Sequence, residues 1–166
     1  ETCLTFGTAA QYYIQNGIGK ELTENELHLK LQECEEANLV PLSTNAQNII
    51  NMCMCDKESC QFMRYLRKFE KPALQVHASY FAVIDEKTCI GCGRCLSKCQ
   101  IDAICQSGVK TAKGKDILSV NRDRCIGCGL CVNACPENSI KMTEREDASE
   151  VPASPAEMYA RIASER

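Results

Sequence analysis

Short segments in the second half of the chain alternate apolar and polar positions. The clearest cover residues 80–85 and 117–121, and a shorter one covers residues 139–142. A period of two places successive side chains on opposite faces of an extended backbone, so we predict a β-strand at each segment. The polar stretch at residues 106–116 contains glycines and lysines and predicts a solvated hairpin or loop.

The first third of the chain has the periodicity of an amphipathic helix instead. Thr23 and Glu26 have the spacing of a capping box, which opens a helix. Leu27, Leu31 and Cys34 then follow at helical spacing on one face, so we predict that Cys34 is part of the core.

An earlier helix is predicted over residues 8–16. It should end at Gly17, where a left-handed C-cap is expected. We predict that its larger apolar side chains, Tyr12, Tyr13 and Ile14, pack against the rest of the protein.

The C-terminal segment, residues 145–166, predicts a linker followed by a short helix. Ser154, Pro155 and Glu157 occupy the N-cap, N1 and N3 positions. The apolar face of this helix could dock on the chain itself or on a partner, and its residues are Met158, Tyr159 and Ile162.

Composition narrows the possible partners and the compartment. The chain has 166 residues and a formal net charge of −3, so it lacks the basic surplus of nucleic-acid binders, and we expect no nucleic-acid partner. No apolar stretch approaches the roughly 20 residues that span a bilayer. The first residue is Glu1, and no secretory signal pattern follows it, so we expect a reducing, cytoplasmic compartment.

Cysteine is the residue whose number and spacing stand out. Nine of the 14 cysteines lie between Cys89 and Cys135. Residues 89–104 match residues 125–140 at eight of sixteen positions, with an offset of 36. Each copy contains the pattern C-x2-C-x2-C-x3-C. Such close spacing is typical of metal coordination rather than of disulfides, and three cysteines within seven residues disfavour the paired ligands of a zinc site.

This repeat resembles the bacterial-type 2[4Fe-4S] ferredoxins over residues 79–144. The resemblance implies an α+β, ferredoxin-like fold with a pseudo-twofold repeat of strand, cysteine loop, short helix and strand. It also implies two [4Fe-4S] clusters, in which the last cysteine of each run binds the cluster of the other run. The first cysteine set is then Cys89, Cys92, Cys95 and Cys135, and the second cysteine set is Cys125, Cys128, Cys131 and Cys99. Gln100 departs from the family pattern, since many members have proline there.

A separate group of cysteines precedes the repeat. Cys53, Cys55 and Cys60 form a C-x-C-x4-C pattern, and three thiols within eight residues suggest another metal centre. Cys3 is the better candidate for a fourth ligand, because Cys34 lies on a helical face. The centre could hold iron or zinc, and free thiols or one disulfide are the alternative. Cys34 and Cys105 are predicted to be structural.

Nearly the whole chain is similar, more loosely, to multi-cluster ferredoxin-type proteins of anaerobes. In that group a cysteine-rich element precedes the two-cluster module. The composition of this chain predicts a helical, cysteine-rich module at residues 1–78, then the two-cluster module at residues 79–144, then the linker and docking helix at residues 145–166. The extra module, the C-terminal helix and the length beyond a minimal ferredoxin favour electron transfer as the iron-sulfur subunit of a larger anaerobic oxidoreductase, with redox proteins as partners.

Two alternatives stay open. One is a freely diffusing carrier with a structural zinc site, and the other is a catalytic role for the Cys53–Cys60 centre. No catalytic constellation of side chains is found in the sequence, so we expect no catalytic site of the chain's own. Two bound clusters would lower the formal charge from −3 to about −7, which predicts basic docking surfaces on the partners.

Overall fold

The computed structural model describes residues 3–164 and mixes short helices with small antiparallel sheets. The elements, in chain order, are β1 (Cys3–Thr5), α1 (Gly7–Gln15), α2 (Glu24–Glu36), β2 (Val40–Ser43), β3 (Asn51–Cys55), α3 (Gln61–Leu66), α4 (Pro72–Gln75), β4 (Tyr80–Ile84), α5 (Arg94–Lys98), β5 (Ile104–Lys110), β6 (Asp116–Val120), α6 (Leu130–Asn133), β7 (Ile140–Glu144) and α7 (Pro155–Ser164). Contacts divide them into two units. The first unit combines the segment that ends at Cys55 with the segment that begins at Glu150, and the second unit is Asp56–Ser149.

The first unit contains a three-stranded sheet in the order β1-β3-β2, which the sequence patterns did not predict. Cys3 lies opposite Cys53 in this sheet, and Cys55 lies opposite Val40. Helix α2 begins with the predicted capping box, in which the Thr23 side chain accepts a hydrogen bond from the Glu26 backbone. Cys34 is buried, as predicted.

The prediction that the large apolar side chains of helix α1 pack against the rest of the protein is wrong. Tyr12, Tyr13 and Ile14 are all exposed, and the helix buries none of its residues. The reason is its length: nine residues give little more than two turns, and the three bulky side chains occupy consecutive positions, which fan out around a helix axis.

The C-terminal segment joins this first unit. The backbone N–H groups of Gln47 and Asn48 donate to the carbonyls of Pro152 and Ala153, at 2.8 and 3.2 Å. Helix α7 follows, and the Ser154 hydroxyl accepts from the Glu157 N–H, which confirms the predicted cap.

The second unit contains the internal repeat. Strand β4 pairs with β7 and β5 pairs with β6, both antiparallel, so the predicted strands are confirmed and residues 106–116 are largely a hairpin. A register shift interrupts the second ladder between Gln106 and Lys110. Buried Ile104 and Ile140, which are equivalent in the repeat, lie at corresponding strand starts.

Residues 56–78 belong to this second unit as well. Met63 and Leu66 on α3 are almost fully buried. The Arg124 guanidinium joins this segment to the repeat, because it donates to the carbonyls of Phe69, Arg67 and Ile101 at 3.0–3.2 Å. The boundaries predicted from the sequence, at residues 78 and 144, stay predictions.

Candidate metal centre

The first cysteine set surrounds one cavity of the second unit. All four of its cysteines line the cavity, with Ile84, Leu118 and Ile140 among the apolar residues beside them. They reach it from the loop before α5, from α5 itself and from the loop after α6, so both copies of the repeat contribute. The structure therefore brings together the four cysteines that the sequence analysis grouped.

The second cysteine set is also brought together. Cys125 and Cys131 are buried. Burial raises the pKa of Cys128 to about 11, and repulsion from Cys125 and Cys99 adds to the shift. Burial likewise raises the pKa of Cys131 to about 12, with the same two thiols and Cys128 contributing. These interactions place the four thiols of the second set within electrostatic range of one another, and Cys95 of the first set also acts on Cys131.

Backbone N–H groups point at several of these sulfur atoms. Ala103 donates to Cys99 at 3.2 Å and Ser139 donates to Cys135 at 3.3 Å, and the two pairs are equivalent in the repeat. The N–H of Ala82 donates to Cys125 at 3.4 Å. Donors of this kind stabilise the negative charge of a thiolate, and they tune the potential of a cluster bound to it.

Two glycines allow the cysteine loops to pass close to neighbouring backbone. A β-carbon at Gly91 would lie 2.5 Å from the carbonyl oxygen of Asp116, and one at Gly127 would lie 2.6 Å from that of Tyr80. Both glycines have a positive φ. Gly91 and Gly127 are 36 residues apart, as are Tyr80 and Asp116, so the two copies of the repeat make the same close contact.

One polar side chain at the first cavity supports a ligand there. Ser139 lines the cavity and is 3% exposed, and its hydroxyl has no hydrogen-bond partner among residues 3–164. An unpaired buried hydroxyl is costly unless something bound beside it accepts a hydrogen bond from it. Four thiols, inward N–H groups and this hydroxyl together fit a [4Fe-4S] cluster.

Arg145 was not identified from the sequence, yet it lies beside the second cysteine set. It is 7% exposed, and its Nη2 donates to the carbonyl of Cys125 at 2.9 Å. The guanidinium also lies over the ring of Phe81, 5.4 Å from its centroid. Within the described chain its Nε has no hydrogen-bond partner. A permanent positive charge is therefore fixed against a backbone that bears a predicted ligand.

A hydrogen bond explains why Gln100 stands where many family members have proline. The residue is 6% exposed, and its side-chain oxygen accepts a hydrogen bond from the Lys57 N–H at 3.1 Å. It thereby joins the loop after Cys99 to the segment that precedes α3. Proline could not make this contact, because its ring carries no acceptor.

The cysteines of the predicted third centre are divided between the two units. Cys3, Cys53 and Cys55 lie on strands of the first unit, and Cys60 precedes α3 in the second. Within residues 3–164 no three His, Cys, Asp or Glu side chains form a group that could hold a metal ion. Cluster thiolates each bind a different iron atom and so lie farther apart than the ligands of one ion. The third centre stays a prediction.

None of the 14 cysteines, all of which lie in the described part of the chain, forms a disulfide. Cys105 is exposed on β5, with its sulfur 3.4 Å from the Ser119 hydroxyl. No helix between residues 3 and 164 is long and apolar enough to cross a membrane.

Comparison with known families agrees with the geometry of the second unit. The family model described as a 4Fe-4S dicluster domain matches residues 82–142. This match supports a 4Fe-4S ferredoxin-type domain in this part of the chain, and it suggests iron-sulfur electron transfer as the chemistry of the domain. No curated protein matches the chain.

Proposed function

We propose that the chain transfers electrons through two [4Fe-4S] clusters, one held by the first cysteine set and one by the second. The observation that supports this most directly is the cavity that Cys89, Cys92, Cys95 and Cys135 line together. Three of these thiols come from one run and the fourth from the other, which is the exchange of ligands found in two-cluster ferredoxins. Each cluster, when bound, accepts and releases one electron.

Residues around each cluster would set its reduction potential. Backbone N–H groups donate to Cys99, Cys125 and Cys135. Apolar side chains such as Ile84 and Ile140 line the first cavity and limit access of water. Hydrogen bonding to sulfur and exclusion of solvent are the means by which a protein adjusts a cluster's potential.

The wider setting is part of the same proposal. The chain would act in the cytoplasm of an anaerobe as the iron-sulfur subunit of a larger oxidoreductase, with redox proteins as partners. Its first unit and helix α7 extend well beyond residues 82–142, which favours a subunit over a minimal carrier. A third metal centre, formed by Cys53, Cys55 and Cys60 with Cys3, would extend the electron path.

A second candidate function is a freely diffusing carrier with structural zinc. The observation that favours it is the pairing of Cys3 with Cys53 across adjacent strands, with Cys55 two residues further along β3. The described residues do not group these thiols around one ion, so zinc binding would require them to move closer together. A catalytic role for the Cys53–Cys60 centre is the remaining alternative.

Metal and sulfide analysis of anaerobically prepared protein tests these proposals. About eight irons and eight sulfides per chain support two clusters, about twelve support three, and eight irons with one zinc support the structural site. Far fewer than eight irons, after reconstitution with iron and sulfide, would contradict the proposal. Substitution of Cys92 or Cys128 by alanine should each remove one cluster, whereas Cys105→Ala should remove none. The size of the natively isolated protein then shows whether it belongs to a complex.

A further inference from the structure

A basic groove lies on the exposed side of helix α3. Its volume is about 390 Å³, and four of its seven lining residues are cationic while only one is acidic. Its residues, which we call the basic groove, are Lys57, Glu58, Gln61, Arg64, Tyr65, Arg67 and Lys68. This local excess contrasts with the formal charge of −3 of the whole chain.

Two of the four cationic side chains in the groove are exposed to solvent. Arg64 and Lys68 are exposed. Arg67 is paired with the Asp102 carboxylate. The groove also presents an apolar surface, since Tyr65 is 60% exposed and stacks edge-on against Phe69, with ring centroids 5.0 Å apart. A cationic surface with an exposed aromatic ring is typical of protein interfaces.

The groove is fixed to the loop that follows Cys99, a predicted ligand of the second cluster. The N–H of Lys57, a groove residue, donates to Gln100, the residue next to Cys99. The Arg67 side chain bonds Asp102 at 2.9 Å through Nε. Arg124 donates to the Arg67 and Ile101 carbonyls at 3.2 and 3.0 Å and so holds the end of α3 against the same loop. Three separate contacts therefore join this surface to residues 100–102.

We infer that the basic groove is the docking surface for an acidic face of a redox protein, and that this partner exchanges electrons with the cluster of the second cysteine set. One electron leaves the cluster and reduces a one-electron centre of the partner, or returns by the reverse step, and no bond forms or breaks. The inference rests on the proposed function. It differs from the expectation drawn from net charge alone, which is a basic partner.

The occupant that the charges favour is a protein rather than a nucleic acid. A long polyanion would extend past the groove onto a protein whose charge, with two clusters bound, is about −7. A compact acidic patch instead meets only the local cations and the Tyr65 ring. Complementary charge of this kind speeds association and fixes the orientation of the partner.

Two cobalt(III) oxidants of opposite charge test the surface on the loaded, reduced protein. Tris(oxalato)cobaltate is an anion and hexaamminecobalt is a cation, and each takes one electron to become cobalt(II). In the double variant Arg64→Glu/Lys68→Glu, oxidation by the anion should slow about tenfold at low salt, and oxidation by the cation should speed up. The control Lys113→Glu/Lys141→Glu makes the same change in net charge at two exposed lysines outside the groove, and it should alter both rates much less.

A binding measurement accompanies the rates. The paramagnetic, redox-inert anion hexacyanochromate should broaden the Tyr65 ring signals in the wild type and in the control, but not in the groove variant. A short acidic peptide, tetraglutamate, should compete with it, and a long oligothymidylate should not. Equal rates for both double variants, no broadening at Tyr65, or tighter binding of the oligothymidylate than of tetraglutamate would each overturn the docking proposal.

Measurements on the same protein samples distinguish failure of the docking proposal from failure of the proposed function. Dithionite reduction and iron analysis of every variant report whether two reducible clusters are present. Clusters that form and reduce normally, with rates insensitive to the groove, contradict the docking surface alone. Absence of reducible clusters in the wild type contradicts the proposed function itself.

Discussion

Gly127 lies against the backbone of Tyr80, so close that a β-carbon on it would be 2.6 Å from the Tyr80 carbonyl oxygen. Gly91 has the same relationship with the Asp116 carbonyl. The two glycines are 36 residues apart, and so are Tyr80 and Asp116. The cysteine loop of each repeat is thus held against the strand that precedes the other repeat's loop. Space for these close approaches is a condition for bringing the eight thiols together.

Substitution of Gly127 by alanine should therefore destabilise the loaded protein. Positive φ alone costs roughly 1–2 kcal/mol, and the clash adds to it, so we expect a loss of about 3 kcal/mol or more in the free energy of unfolding. Gly108→Ala is the matched control, since Gly108 also has a positive φ but nothing within 4 Å of the added carbon. Thermal unfolding under anaerobic conditions measures both, and equal losses would show that the close approach is not important.

The Ser139 hydroxyl should raise the potential of the cluster in the first cavity. It is buried beside that cavity without a partner in the described chain, so a cluster would accept a hydrogen bond from it. Replacing Ser139 by alanine should lower this potential by the equivalent of about 1 kcal/mol. Ala103 is the equivalent residue of the other copy, and Ala103→Ser should raise the second potential. Redox titration followed by electron paramagnetic resonance checks both shifts, and an unchanged first potential in Ser139→Ala would contradict the role.

Arg145 should raise the potential of the second cluster, because a buried positive charge favours the more negative, reduced state. We expect Arg145→Gln to lower that potential by the equivalent of about 1 kcal/mol, with little change in the first. Arg122→Gln is a suitable control. Arg122 lies over the same Phe81 ring, but it is exposed and paired with Asp147 at 2.9 Å. Equal shifts for the two variants would argue against an effect specific to the buried charge.

Stability of the metal-free protein should fall in alkali. Burial raises the pKa of Cys95 to about 11, and it raises the pKa values of Cys128 and Cys131 to about 11 and about 12. The unfolded thiols, whose pKa is about 8.5, lose protons first. The stability is therefore complete below about pH 8.5 and is lost as pH rises toward 11–12. Melting temperatures of the metal-free protein between pH 8 and pH 11 test this, and a flat profile would contradict it. In the loaded protein the thiolates are bound to iron, so this dependence should be much weaker.

The sequence alone predicted the features that depend on local spacing. The repeat at Cys89 and Cys125, its flanking strands, the capping box at Thr23 and the N-cap at Ser154 all follow from residues close together in the chain. The assignment of Cys135 to the first cysteine set came instead from the resemblance to two-cluster ferredoxins. Each of these patterns has a distinct physical cause, either a period or the reach of one side chain.

What the sequence did not reveal depends on contacts between distant segments. Arg124 bonds carbonyls at Arg67 and Phe69, more than fifty residues earlier. The basic groove, the sheet that joins Cys3 to Cys53 and the buried charge of Arg145 arise in the same way. No periodicity in the sequence marks such pairs. An arginine or glutamine that makes a distant contact has the same appearance in the sequence as one that is exposed to solvent. Gln100 gave the one available signal, since it stands where many relatives have proline.

The pairing of β4 with β7 places Tyr80 opposite Glu144, so the repeat begins and ends at a single edge. The first unit meanwhile consists of two chain segments, one on each side of the second unit in the sequence. On the ribosome, the second unit would be fully synthesised while the first still lacks its last piece, because Gln47 and Asn48 must wait for Pro152 and Ala153. Synthesis of the second unit is thus complete before the first unit can close, and a translation stop after Ser149 would leave the whole second unit beside a first unit that lacks its last segment.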